Sequence, residues 1–370
     1  MKARKGSPTE YGRHVIKLET VKRCPIIVGD GVLGGLEGYF DFSGYSSLVL
    51  ITDTVVKKLY GQSVLPVLKA TGKKLSLLTL PVGEKAKSLS TVERGYQFLL
   101  ENNVDRKGLI CVLGGGVLGD VGGYIAATYL RGIDYIQLPT TLLAQVDSSI
   151  GGKVGVNFEG KKNMIGSFYQ PRAVICDVAF LKTLPPAEMR NGMAEVIKYA
   201  LAMDEKLFRL LDQKRESELT TDELKDIVTR CCRLKAGIVE VDEMEQTGQR
   251  AILNFGHTVG HALEAATKLR GQSHGEAVAI GMMAAARISG QVGMLSQSNI
   301  PRIENLLLKF GLPIYCQGVN PDDLFEATRF DKKTTMGQTG WVLLKGIGKG
   351  VVNQTVAENI IRKVLTEICP

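Results

Sequence analysis

Residues 109–113 read LICVL and run without a polar break into GGGVLGDVGG at 114–123. Five apolar residues bounded by glycine describe a strand buried on both faces, and the residues after the turn take up helical spacing. Gly114, Gly116 and Gly119 satisfy G-x-G-x-x-G in the context that gives it meaning, after a strand and opening a helix. Glycine there lets the backbone approach a pyrophosphate, whose charge meets the helix N-terminus; the plainer alternative is a tight turn without a ligand. Either way, the unit demands a sheet on which the strand can lie and helices to cover it.

The flanking sequence supplies both. Residues 25–28, 48–51, 75–80 and 135–138 are further short apolar runs, and 88–101 has helical spacing, so strands alternate with helices. That alternation implies a parallel sheet with crossover connections, an α/β architecture. One irregularity is that the glycine motif follows several strands, whereas the usual dinucleotide fold places it after the first. Asp53, at the carboxyl end of an earlier strand, is positioned to accept from a ribose hydroxyl, which would make the crevice a variant arrangement. Residues 139–141, 145–153, 157 and 160–163 carry hydroxyls, small residues and isolated lysines without an apolar period, so they read as site-lining loops. Lys153 and Lys162 are then either solvated loop charges or contacts for an anion.

A boundary falls at Leu184-Pro185-Pro186, because proline starts helices and the pattern beyond is almost entirely helical. This divides the chain into 1–184, an α/β domain, and 185–370, a mostly helical domain in which 341–352 reads as a hairpin. Three of the four histidines lie within 250–276: His257, His261 and His274. Arg250, Asn254, His257, His261 and Glu264 follow steps of four and three, which predicts one polar face on a single helix over 250–269. Imidazoles four residues apart can share a divalent ion, or set one ligand beside one general base. His274 offers a further ligand at the mouth of the next helix. Glu195 and Lys198 share a face of the helix over 187–202; alone they describe a surface ion pair, but a two-histidine site needs a carboxylate, and Glu195 is the natural one. Zn²⁺ is the default ion for such a set, with other divalent metals open.

Composition narrows the function classes. The +8 formal charge is spread along 370 residues, with no block of like charges and no bases interleaved with aromatics, so a small anionic substrate is expected rather than nucleic acid. No apolar run reaches eighteen residues and no signal segment opens the chain, which gives no membrane association and a cytoplasmic expectation. Seven cysteines without a CxxC pair suggest reduced core thiols, neither a disulfide framework nor a thiolate metal cage.

Taken together, LGGGVLGDVGGYIAATYLRG, LPTTLLAQVDSSIGGKVGVNF, GKKNMIGSFYQP, NGMAEVIKYA, LNFGHTVGHALE and HGEAVAIGM resemble the 3-dehydroquinate synthase family over nearly the whole length. The resemblance implies an N-terminal Rossmann-like NAD-binding domain, a helical C-terminal domain, a catalytic Zn²⁺ (or Co²⁺) in the cleft and a homodimer. It makes Glu195, His257 and His274 the metal ligands and moves His261 to the catalytic set. Arg131, Lys153, Asn163, Lys198, Lys235, Arg250, Asn254 and Lys332 or Lys333 would hold the phosphate, carboxylate and hydroxyls of the substrate. Asp53, Glu84, Lys87, Gly115, Gly116, Asp120, Thr140, Thr141, Asp147, Lys153, Lys162 and Thr183 would meet NAD. The implied reaction converts 3-deoxy-D-arabino-heptulosonate 7-phosphate to 3-dehydroquinate and phosphate. Its steps are transient oxidation, β-elimination, reduction and intramolecular aldol closure, in the shikimate route to aromatic amino acids. The rival readings are an NAD- and metal-dependent alcohol or glycerol dehydrogenase, and another sugar phosphate cyclase.

Overall fold

A computed structural model of the chain describes residues 14–18, 24–267, 272–329, 334–335 and 338–370. In chain order the first elements are β1 (His14–Leu18), β2 (Cys24–Gly29), β3 (Ser47–Asp53), α1 (Thr54–Ala70), β4 (Lys74–Leu80), α2 (Leu89–Glu101), β5 (Gly108–Gly114) and α3 (Gly116–Thr128). They continue with β6 (Tyr135–Pro139), β7 (Lys153–Phe158), β8 (Lys161–Phe168) and β9 (Ala173–Asp177). Seven of these strands form one sheet in the order β1-β2-β9-β6-β5-β3-β4, parallel except for β1, which pairs antiparallel with β2 at the edge.

The apolar runs are continuous because both faces of this sheet are covered. Val49, Ile51, Ile110 and Val112 pack with Val121 and Ile125 of α3, while their neighbours Leu48, Leu50, Leu109, Cys111 and Leu113 pack with Val64 and Leu68 of α1. Each such side chain contributes about 1.5–3 kcal/mol on burial. From β3 the chain passes through α1 to β4 on one side; from β5 it passes through α3 to β6 on the other. The strand order therefore reverses between β3 and β5, the position where open α/β sheets bind ligands. This accounts for a glycine motif that follows β5 rather than the first strand.

The expected loops beyond β6 are partly ordered structure. Ala144–Ser148 is a π-helical turn, and Lys153–Phe158 with Lys161–Phe168 forms an antiparallel hairpin. Val154 and Val156 of β7 enter the core, but β8 buries no residue fully, so its polar sequence carries no apolar period.

The remaining elements are α4 (Pro186–Ala202), α5 (Glu205–Asp212), α6 (Thr221–Val241), α7 (His257–Ala266), α8 (His274–Gln291), α9 (Asn299–Lys309), α10 (Pro321–Arg329), the short β10 (Thr334–Thr335) and β11 (Gln338–Thr339), the hairpin β12 (Trp341–Gly346) and β13 (Lys349–Gln354), and α11 (Glu358–Ile368). Two compact units result: residues 1–184 with Thr221–Glu240, and 185–220 with 241–370. A single boundary at Leu184 does not express this return of α6 to the first unit. The second unit has its own core, in which α7, α8, α10, α11 and β12 contribute residues such as Leu263, Ile280, Phe325, Leu365 and Trp341. The expectation of seven reduced thiols is corrected here: Cys316 and Cys369 form a disulfide, while Cys24, Cys111, Cys176, Cys231 and Cys232 are free and buried. No described helix is long and apolar enough to cross a membrane.

Candidate active site

Three helices of the second unit bring Glu195, His257 and His274 together, with one donor atom from each lying within 4.8 Å of the others. Glu195 sits in the buried half of α4, where Gly192 to Ala202 are all buried. Ser273 caps α8 reciprocally with Glu276: its hydroxyl accepts from the Glu276 amide at 3.3 Å, and its own amide donates to Glu276 Oε2 at 2.7 Å. That box sets His274 as the first residue of the helix. The amide of Gly275 donates to Asn191 Oδ1 at 2.6 Å, fixing the start of α8 against α4. A Cβ at Gly275 would lie 2.7 Å from backbone atoms of Asn191, so this approach requires glycine.

The single helix expected over 250–269 is interrupted. Gln249–Asn254 is a 3-10 turn, Gly256 adopts φ 81°, and α7 starts afresh at His257. Periodicity missed the break because Phe255 and Gly256 do not disturb the four-and-three count. The consequence falls on Arg250, which is 3% exposed and donates to the Glu243 carbonyl at 2.8 Å, with Glu245 Oε1 at 3.5 Å. Asn254 has a buried Nδ2 without an acceptor among the described residues. His257, His261 and Glu264 do share α7, and the His257 ring meets those of His261 and His274 at centroid distances of 5.2 and 5.5 Å.

Glu195 Oε1 lies 3.6 Å from His257 Nε2 and 3.7 Å from His274 Nε2. Donors held at about 2.0–2.2 Å by one tetrahedral ion stand roughly 3.4 Å apart, so the set fits a divalent ion with small adjustment. His257 Nδ1 faces the Phe255 carbonyl at 3.3 Å, which directs Nε2 to the cluster once Nδ1 carries the proton. Lys198 pairs with Glu195, and both are almost wholly buried, the reverse of a surface ion pair. Burial pushes His257 down to about 3, with the Lys198 charge adding to the effect and Glu195 opposing it. On His274 burial acts in the same direction, but hydrogen bonds and charges from Glu195 and Glu264 outweigh it and raise the group to about 9.

In the first unit, Ile51 of β3 is in register with Val112 of β5, and continuing that register sets Asp53 level with Gly114. Asp53 caps α1 by accepting from the Val56 amide at 2.8 Å. Gly115 and Gly116 open α3 with no side chain capping its amides. The Thr140 amide donates to the Gly114 carbonyl at 3.0 Å, and a Cβ on Gly115 would touch Thr141 at 3.0 Å. Ser148, expected within a site-lining loop but given no role of its own, has a buried hydroxyl without a described partner, 2.8 Å from where a Cβ of Gly116 would stand. The signal was present only as one hydroxyl among several.

Beside this turn, Lys87 Nζ lies 2.6 Å from Asp120 Oδ2 and donates to Asn163, while Asn157 donates to Glu84 at 2.7 Å and accepts from the Asn163 amide at 2.9 Å. Burial raises Asp120 above the usual carboxylate range, against the pull of Lys87. Lys235 reaches Asp147 at 2.9 Å, so α6 carries it to the first unit's cluster. Lys153 is exposed and Lys162 half-buried on the hairpin, and Thr183 is bonded to Tyr60 of α1. Arg131 stands apart, because it follows the far end of α3, about 20 Å of helix from Gly116, just before the start of the central strand β6. Leu130 and Arg131 both hold positive φ there, at 50° and 67°. Lys332 and Lys333 lie outside the described residues.

Residues 77–191 match the family described as 3-dehydroquinate synthase N-terminal, and residues 192–334 the one described as 3-dehydroquinate synthase C-terminal. The 3-dehydroquinate synthase of Desulforamulus reducens is 44% identical over 347 residues, covering 93% of this chain and 96% of its own. A solved 2-deoxy-scyllo-inosose synthase, complexed with carbaglucose-6-phosphate, NAD+ and Co2+, is 27% identical with a TM-score of 0.86, covering 96% of this chain and 100% of its own. The 2-epi-5-epi-valiolone synthase of Streptomyces hygroscopicus subsp. jinggangensis, with NAD+ and Zn2+ bound, is 25% identical with a TM-score of 0.83, covering 100% of this chain and 99% of its own. By both family matches and by identity over nearly its full length, the chain belongs to the 3-dehydroquinate synthase family.

Proposed function

We propose that the chain converts 3-deoxy-D-arabino-heptulosonate 7-phosphate to 3-dehydroquinate and phosphate, using NAD and a divalent ion, Zn²⁺ or Co²⁺. The observation that carries this reading is the Glu195–His257–His274 cluster, whose donor spacing of 3.6 and 3.7 Å suits one ion, in a chain whose relatives are dehydroquinate synthases. Solved cyclases of the same fold hold NAD+ with Co2+ or Zn2+, which supports both cofactors. When bound, the metal would acidify a substrate hydroxyl and the nicotinamide would accept and return a hydride.

The residues of the chain do the rest. Lys198, buried beside Glu195, is placed to hold a negative substrate oxygen where little water screens it. His261, on the same helix face as His257, is the candidate to relay a proton to departing phosphate. The buried Nδ2 of Asn254 is a donor for a substrate hydroxyl. In the first unit, the uncapped amides at the start of α3 would meet the NAD pyrophosphate, with Thr140, Thr141 and Ser148 beside them. Asp53 would accept from a ribose hydroxyl while still capping α1. Arg131 would contribute to substrate binding only from outside this cluster. A homodimer and a cytoplasmic location belong to the same proposal; light scattering of the purified chain tests the first.

The decisive experiment incubates the protein with the heptulosonate phosphate, sub-stoichiometric NAD and Zn²⁺. Phosphate release in excess of the NAD added, with no net nicotinamide reduction, is the expected result. Accumulating NADH would make the chain a dehydrogenase instead, and Glu195→Ala should lose both the metal and the turnover.

A further inference from the structure

The two histidines of the cluster are held differently on the side away from Glu195. His257 Nδ1 faces a main-chain carbonyl, that of Phe255, at 3.3 Å, which the turn at Gly256 supplies regardless of side chains. His274 has a side chain there: its Nδ1 lies 3.4 Å from Glu264 Oε1, while its Nε2 lies 3.7 Å from Glu195 Oε1. Glu264 comes from the last turn of α7 and is itself only 10% exposed at its side chain. The His274 ring, at 30% exposed and at the very start of α8, has less packing to set its χ angles than His257 at 11%. A lone surface carboxylate at that spot would gain from solvation; a nearly buried one gains from a charged or donating partner.

We propose that Glu264 is a positioning residue for metal binding: it holds the Nδ1 side of His274 so that Nε2 is presented to the ion. The proposal rests on the reading of Glu195, His257 and His274 as the ligands. Imidazole ligands backed by carboxylates recur at metal sites, and loss of the backing group weakens binding by roughly 10- to 100-fold. Here the arrangement also ties together the two helices that carry the histidine ligands, since α7 provides His257 and Glu264 and α8 provides His274. At Gly260, between the two, a Cβ would lie 3.2 Å from the Ala277 carbonyl of α8, so the helices approach closely enough for the Glu264 contact to be made without a bridging group.

The test titrates Co²⁺ into the metal-free full chain and its variants, following the visible cobalt spectrum and measuring affinity by chelator competition. Glu264→Leu, which keeps the volume and removes the acceptor, should bind Co²⁺ roughly 10- to 100-fold more weakly and with a shifted spectrum. Glu264→Gln keeps an acceptor oxygen without the charge and should fall between Glu264→Leu and the wild type. Thermal melting of the metal-free variants shows whether they fold; should Glu264→Leu fail to, the spectrum and affinity of Glu264→Gln decide, with wild-type values overturning the proposal. Glu264→Leu matching the wild type in affinity and spectrum, while Glu195→Ala loses the metal, overturns the positioning role and leaves the ligand set standing. Wild type that binds no stoichiometric Co²⁺, or Glu195→Ala that binds as well as wild type, removes the ligand set itself and the proposal with it.

Discussion

Gly281 is where one added carbon should do the most damage to the candidate metal site. It lies inside α8, and a Cβ there would stand 1.9 Å from the Gly256 carbonyl oxygen and 2.9 Å from the Gly260 amide nitrogen. Both obstacles are backbone, so no rotamer change relieves them. Restoring ordinary contact requires roughly 1.5 Å of separation between α8 and the turn that opens α7. His257 follows Gly256 directly, whereas His274 rides on α8, so the separation acts on the spacing between two ligands. Metal–ligand distances tolerate only about 0.2 Å, which makes the displacement several times too large. Intrinsic propensity points the other way: alanine in a helix interior is about 1 kcal/mol better than glycine. Overpacking costs about 1–3 kcal/mol or more, so Gly281→Ala should lower the thermal transition of the metal-free chain and weaken Zn²⁺ binding by at least about 100-fold. Gly237, in α6, is the control: a Cβ there meets nothing within 4 Å, and alanine should be neutral or stabilising by up to about 1 kcal/mol. Because two units unfold, the comparison uses the midpoint of each transition. Gly281→Ala with undiminished stability and Zn²⁺ affinity within twofold of wild type would refute the reasoning.

Two further perturbations test how the units are held. Asp177 is 3% exposed and accepts from the amides of Gly31 at 2.9 Å, Leu33 at 3.1 Å and Ala179 at 3.0 Å. Asp177→Ala orphans all three and should cost about 2–4 kcal/mol, read as a lower thermal midpoint for the first unit; an unchanged midpoint would count against the network. The Cys316–Cys369 disulfide closes a separation of 53 residues, which on chain-entropy grounds contributes about 4 kcal/mol. Melting with and without reductant should show a destabilised second unit only when the bond is open. Denatured but unreduced protein should titrate as five free thiols, not seven.

The α/β class was legible because it rests on local repetition: apolar runs covered on both faces, separated by helical spacing, specify buried parallel strands wherever they occur. The chemistry of the candidate site was legible in part. Spacing picked out His257 and His261 with Glu195 as the added carboxylate, and the choice of His274 over His261 as the third ligand came from the resemblance to the family, not from the residue pattern. The hairpin of β7 and β8 escaped, since β8 buries little and so bears no apolar period. The break at Gly256 escaped because a residue count continues through a left-handed turn that a helix axis does not survive. Arg131, assigned to the substrate by the family resemblance alone, lies at the other end of α3 from the glycine turn, since a helix separates its ends by its own length.

By itself the sequence determined the α/β class, the buried strands with their covering helices, and which residue types could bind an ion or an anion, since these follow from periodicity and from the chemistry of single side chains. Tertiary structure alone decided that α6 returns to the first unit, that Cys316 meets Cys369 and that Glu264 stands behind His274. Those are contacts between segments remote in sequence, set by how helices approach one another across glycine, and no local pattern encodes them.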